Sequence, residues 1–429
     1  MQLPVPLNSR ITKLLSGLLQ SIVLHEPPKP KGSDNFFLGF GERRQILFGG
    51  FVIKWWYTQH TSRLRRVLAR EIRDRFVASG SVDRKAADMA VMKALKNNQL
   101  NQSILDVQSS TAGASTLFDI YSKYAVDNML EVLWKRIHEE LEDVLDDWLF
   151  MYPLRLLSCE TRSFPAIDAC VIRSTDEQAT KTYSSEFPRL DELSLQKGVL
   201  TDNSLRLSDS ETPAWLAIKV RGTDTVAFSE ATQIASMVLG LLCASERVIE
   251  PGIFETCAAR PNDYAALFSK NADTIQAQHC GYLFHAAFMG AAISADALKN
   301  AETWFVAFHA APLNQRKRAK VAARWVNQAA ASQHHVRFLF FFFAIDALFG
   351  ERFKVEHSIL DGVVKCIPEP SVVQKCEWLF ELRSELVHGG AASVEGWARL
   401  ERYRDHFETE PLSDIEAMAC ACLMKFFII

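Results

Sequence analysis

Arg383 and His388 stand five residues apart in Leu382-Arg383-Ser384-Glu385-Leu386-Val387-His388-Gly389-Gly390. These are residue types that can break a phosphodiester without a metal. Histidine moves protons because its unperturbed pKa lies near ~6.5. Arginine holds phosphate oxygens because its fork stays charged and binds two at once. Scission of RNA needs a base for the 2′-hydroxyl proton, an acid for the 5′ leaving oxygen, and a cation for the charge growing on phosphorus. The same residues also have a structural reading, with Arg383 paired to a bundle acid and His388 closing a helix.

The elements that must position them are legible around the motif. Val372, Val373, Cys376, Phe380, Leu382, Leu386 and Val387 recur at roughly helical spacing, and Gly389 and Gly390 stop the helix. Five residues correspond to about 140° around an ideal helix, so Arg383 and His388 do not stack. They converge if the last turn is distorted, or if a partner helix or subunit supplies the other wall. The helix dipole at that end raises the proton affinity of a histidine.

Upstream lies a second segment, Phe343-Ala344-Ile345-Asp346-Ala347-Leu348-Phe349-Gly350. Together the two resemble the Apea-like group of HEPN domains. Its members carry a stretch like "LRSxxVHG" after a hydrophobic helix ending like "ALExLF". Arg383 and His388 fit the Arg-x4-His signature, and Asp346 stands where glutamate is common. The resemblance covers residues 313–429.

It implies a bundle of four or five helices that dimerises, bringing two Arg–His motifs into one cleft. In that reading His388 transfers the proton, Arg383 clamps the phosphate, and Asp346 orients one of them. Ser384 could add a phosphate contact. The implied activity is metal-independent endoribonuclease, in a toxin-like or antiphage effector, with RNA as partner and no cofactor or metal. The alternative is a non-catalytic dimerisation or interaction module. Arg383 buried against a carboxylate, with His388 pointing away, would favour the module.

Composition bounds the rest. A chain of 429 residues suggests two or three domains. We expect a mainly α protein with a mixed α/β middle: residues 1–157 mainly helical, 158–312 mixed, and 313–429 the HEPN-like bundle. The formal net charge of -3 excludes a globally basic nucleic-acid binder, so any RNA contact must be local. Nine cysteines without a Cys-x-x-Cys pair point to free thiols in a reducing compartment, hence the cytoplasm, and against structural zinc. Met1 to Arg10 and the segment after it do not read as a signal peptide. The run Phe338 to Phe343 is too short to span a bilayer, so no membrane partner is expected.

Along the chain, Ile11 to Leu24 reads as a helix and His25 to Asp34 as a linker. Thr61 to Phe76 is a basic amphipathic helix for phosphate, an acidic protein or solvent. A further helix starts at Ser81. Leu117 to Leu149 reads as helix, in one piece or two, with acids from Glu139 to Asp147 that are solvated or paired with the basic helix. Pro153 to Thr161 is the expected first domain boundary. Trp215 to Val220 alternates as a strand, with a turn at Arg221 to Asp224, and Cys170 to Ile172 is a shorter one. Thr225 to Ala244 and Tyr282 to Ile293 read as helices.

His279, Cys280 and His285 lack a standard metal spacing. No glycine-rich phosphate loop is present. The upstream region is left to a sensor ligand or regulatory protein. In the bundle, Asn314 is expected to cap a helix carrying Arg316, Lys317, Arg318, Lys320 and Arg324, a basic face able to hold RNA. Helices at Val336 to Phe349, Ser371 to Val387, Val394 to Phe407 and Asp414 to Phe427 follow.

Overall fold

Apolar residues at helical spacing, and one apolar run without periodicity, sort the described residues into many helices and one larger sheet. The computed structural model describes residues 7–23, 38–40, 55–57, 59–76, 82–96, 116–119, 129–154, 159–197, 199–200, 205–207, 212–249, 264–271, 275–279 and 292–428. Contacts divide the chain into two units, Met1–Asp146 with Arg221–Ala227, and Asp147–Val220 with Phe228–Ile429.

In the first unit, α1 (Ser9–Ser21) starts where the Asn8 side chain accepts from the Ile11 N–H at 2.9 Å. It buries Ile11, Leu15, Leu18 and Leu19 on one stripe. The short strands β1 (Leu38–Phe40) and β2 (Trp55–Tyr57) pair antiparallel. Helices α2 (Gln59–Phe76), α3 (Arg84–Lys96) and α4 (Met129–Glu142) complete the core, which includes Leu68, Ile72, Val91, Leu133 and Ile137. Asp83 caps α3 through the Ala86 N–H at 2.6 Å, so that helix starts later than Ser81.

On α2, Arg65 pairs with Asp88 at 2.7 Å, and the helix's Glu71 pairs with Arg10 at 3.1 Å. In the acidic run, Glu139 and Glu140 pair with Arg136, Glu140 also with Lys93, Glu142 with Arg221, and Asp147 with Lys270.

The expectation of helix from Leu117 to Leu149 is corrected here. The helix ends at Glu142 and the chain enters strand β3 (Asp146–Leu154), in the second unit from Asp147 on. Trp148 to Leu154 is buried at every position, so both faces are apolar and no alternation marks the strand. Pro153 lies inside β3.

The second unit continues with β4 (Arg162–Phe164), β5 (Ala169–Arg173), α5 (Glu177–Ser184), the small antiparallel sheet β6 (Leu193–Ser194), β7 (Val199–Leu200) and β8 (Leu205–Arg206), then β9 (Ala214–Gly222), α6 (Asp224–Ile249), β10 (Tyr264–Ser269) and β11 (Ile275–His279). The larger sheet has the order β11-β10-β3-β9-β5-β4. The β10–β11, β10–β3, β4–β5 and β5–β9 ladders are antiparallel. Leu149, Met151, Cys170, Ile172, Trp215, Ala217, Ala266 and Phe268 share one covered face, and the Trp215 indole donates to the Leu195 carbonyl at 2.9 Å.

On the other face Phe150 packs on Phe228, and the Tyr152 hydroxyl lies 3.3 Å from that of Thr232, both partners on α6. Among the described residues α6 is the one helix long and apolar enough to cross a bilayer, and most of it is buried within the fold. The expected helix from Tyr282 to Ile293 and the Cys280 and His285 positions fall outside the described residues, apart from the last two positions of that segment. His279 ends β11, exposed.

Seven helices close the chain: α7 (Ala295–Ala310), α8 (Leu313–Ala330), α9 (His334–Phe349), α10 (Val355–Cys366), α11 (Val372–His388), α12 (Leu400–Phe407) and α13 (Pro411–Lys425). Helices α7 and α10 go beyond the helices expected from the sequence. Pro312 stands at the α8 cap, so Asn314 lies within the first turn and does not cap it. The expected helix from Val394 shrinks to α12, because Gly396 turns back to donate to Ser393. Arg337 on α9 and Glu416 on α13 form a buried ion pair, both carboxylate oxygens 3.0 Å from Arg337 Nη2. The chain is thus mainly helical with a small antiparallel sheet in its middle.

Candidate active site in the C-terminal bundle

Phe342 and Asp346 are four residues apart on α9, hence on one face. That face meets α11. Phe380 stands edge-on to Phe342 with centroids 5.0 Å apart, and the Arg383 guanidinium carbon lies 5.8 Å from the Phe342 centroid. One turn further along each helix, Asp346 feels the charge of Arg383. The contacts advance together, so the His388 end of α11 points toward the Gly350 end of α9.

Asp346 is half-buried. Burial raises its pKa, while Arg383 and then Arg318 pull it down. Its Oδ1 lies against Gly350. A Cβ built at Gly350 would stand 1.9 Å from that oxygen and 2.7 Å from the Asp346 carbonyl, so only glycine leaves room. Arg318 on α8 spends both terminal nitrogens on the end of α9, donating to the Leu348 carbonyl at 2.7 Å and the Gly350 carbonyl at 2.6 Å. It is therefore a helix-end clamp that also supplies positive charge to Asp346.

Arg383 is half-buried, and its Nε is buried without a hydrogen-bond partner. Among the described residues it forms no ion pair within 4 Å, so its charge is not consumed by a carboxylate. Ser384, next along α11, is exposed. His388 is the last residue of α11 and is exposed. The helix stops behind it because Gly389 adopts φ 81°, and the N–H groups of Gly389, Gly390 and Ala391 converge on the Glu385 carbonyl.

The structure therefore brings together Asp346, Arg383 and Arg318. Among the described residues Asp346 forms no hydrogen bond or ion pair with either His388 or Arg383, and it meets Arg383 through charge alone. The expected basic face of α8 divides. Arg318 turns to α9. Lys320 turns to α6, where burial lowers its pKa and Glu230 partly restores it; the same burial raises Glu230. Arg324 lines a hollow of about 300 Å³ with Thr232, Gln233 and Ser236 of α6. Arg316 is half-buried with an unpartnered Nε, and Lys317 is exposed. Gly350, the last residue of the second motif segment, and Phe342, which was not singled out from the sequence, complete the site; the signal for Phe342 was its i, i+4 relation to Asp346.

Among the described residues no three histidine, cysteine or acidic side chains gather as a metal site. Comparison with protein-family models, with curated proteins and with solved structures finds no match for this chain.

Proposed function

We propose that residues 313–429 are a HEPN-type domain that cleaves RNA without a metal and acts as a dimer. The observation that carries this is an arginine with no ion-pair partner among the described residues, beside a half-buried carboxyl and five residues before His388 on the same helix. In this reading Arg383 binds the scissile phosphate and stabilises the charge that grows there. Asp346 sets the guanidinium without pairing it.

The 2′-oxygen attacks phosphorus as its proton leaves to a base. The bond to the 5′-oxygen breaks as an acid returns a proton to it. The products are a 2′,3′-cyclic phosphate and a 5′-hydroxyl. One histidine cannot be both acid and base in a single step, so His388 takes one role and a second copy of the chain supplies the other. In this reading the resemblance to Apea-like proteins suggests a toxin-like or antiphage effector, with the region upstream of residue 313 sensing or restraining.

The exposure of His388 at the free end of α11 favours a second reading, a dimerisation module without catalysis. An RNA oligomer and its analogue with deoxyribose at the cleaved position separate the two. Cleavage of the first alone, leaving a cyclic phosphate, is the result we expect. A stable dimer that cleaves neither would favour the module.

A further inference from the structure

Between α9 and α10 the chain makes its turn through Glu351, Arg352, Phe353 and Lys354. Phe353 sits at φ 69°, in the left-handed region, with 89% of its surface in solvent. A turn that only reversed the chain would be served better by glycine, which enters that region without strain and exposes no apolar ring. The ring is not idle, because the Arg352 guanidinium carbon stands 4.8 Å from its centroid and covers part of it.

Glu351 and Lys354, on either side of this pair, line an open polar groove of about 690 Å³, walled further by Arg318, His357, Asp361 and Lys365. The groove thus begins beside the Arg352–Phe353 pair and shares with the surroundings of Asp346 one residue, Arg318, whose charge acts on that carboxyl after that of Arg383.

We propose that Phe353 is a stacking platform for an unpaired nucleobase of single-stranded RNA, with Arg352, Lys354 and Lys365 meeting the adjoining phosphates. An aromatic ring in solvent beside cations is the arrangement that holds single strands with little sequence preference. This rests on the RNA reading of the bundle and adds where the strand is held outside the scissile phosphate.

The test uses the full chain carrying His388→Ala, so that RNA is bound and not cut, with fluorescent single-stranded oligo-U and oligo-A in EDTA. Adding Phe353→Gly should weaken binding about tenfold or more, the loss expected for one stacked base. Its thermal midpoint should stay equal or rise, since glycine suits φ 69°. Phe353→Trp should keep the affinity and show added fluorescence quenching on binding, relative to the parent.

If the parent binds RNA and Phe353→Gly binds equally well, the platform is wrong and the RNA reading stands. If the parent binds no RNA, both fall. A change in sedimentation on Phe353→Gly, with RNA affinity intact, would assign Phe353 to a protein contact and overturn the proposal.

Discussion

Asp346 and Arg383 lie on different helices, and the charge of Arg383 is the strongest pull lowering the proton affinity of the Asp346 carboxyl, yet burial still prevails. A carboxyl in that state costs the fold stability when it ionises. Its folded pKa exceeds its unfolded one, so the penalty is present at neutral pH and fades as pH falls through the folded pKa. Asp346→Asn should therefore melt higher than the parent at pH 7, and the gap should close as pH approaches the ordinary aspartate value of about 3.9. The same variant should lose RNA cleavage, since Arg383 is no longer set. Thermal unfolding across pH reads the first effect. A parent that outlasts Asp346→Asn at pH 7 would reverse the sign.

Gly350 is the space into which Asp346 folds. Gly350→Ala should destabilise by about 1–3 kcal/mol through overpacking at the end of α9. The cost should shrink, without vanishing, in an Asp346→Ala background, because the nearest clash is with Oδ1 and the next is with the backbone carbonyl. A double-mutant cycle by denaturant unfolding measures that coupling, and simple additivity would argue against the contact.

Glu416 tests the bundle core. It is buried, receives Arg337 at 3.0 Å and lies 3.3 Å from Arg247. Glu416→Ala leaves two arginines without their carboxylate and should cost about 3–5 kcal/mol. Chemical denaturation checks this, and a change below 1 kcal/mol would mean that the arginines find other partners.

The thiols offer a simpler check. None of the seven described cysteines forms a disulfide and all are buried, and burial pushes the Cys159 and Cys376 thiols up to about 12. Alkylation at neutral pH, mapped by mass spectrometry, should leave these seven unmodified until the chain unfolds. Rapid labelling of Cys159 or Cys376 in the native state would contradict the packing.

Much of the bundle was readable from sequence because its helices carry their own punctuation. Phe349 is followed by Gly350, His388 by Gly389, and the apolar spacing between stops keeps helical period. The first strand of the larger sheet was not readable. From Trp148 to Leu154 both faces are covered, so the residues carry no alternation to set against the helix that precedes them. The meeting of Asp346 with Arg383 is a long-range contact that no local spacing encodes. It was expected only from the resemblance of the two segments. The division of the basic run on α8 was equally hidden, since Arg318 and Lys320 differ by about 200° around the helix and face different neighbours.

The central claim is tested most directly by incubating the purified chain with total RNA and defined tRNAs in EDTA, beside His388→Ala and Arg383→Ala at matched folding and oligomeric state. The account predicts cleavage leaving 2′,3′-cyclic phosphate ends, lost in both variants. Cleavage that persists in His388→Ala, or that requires a divalent cation, would contradict it.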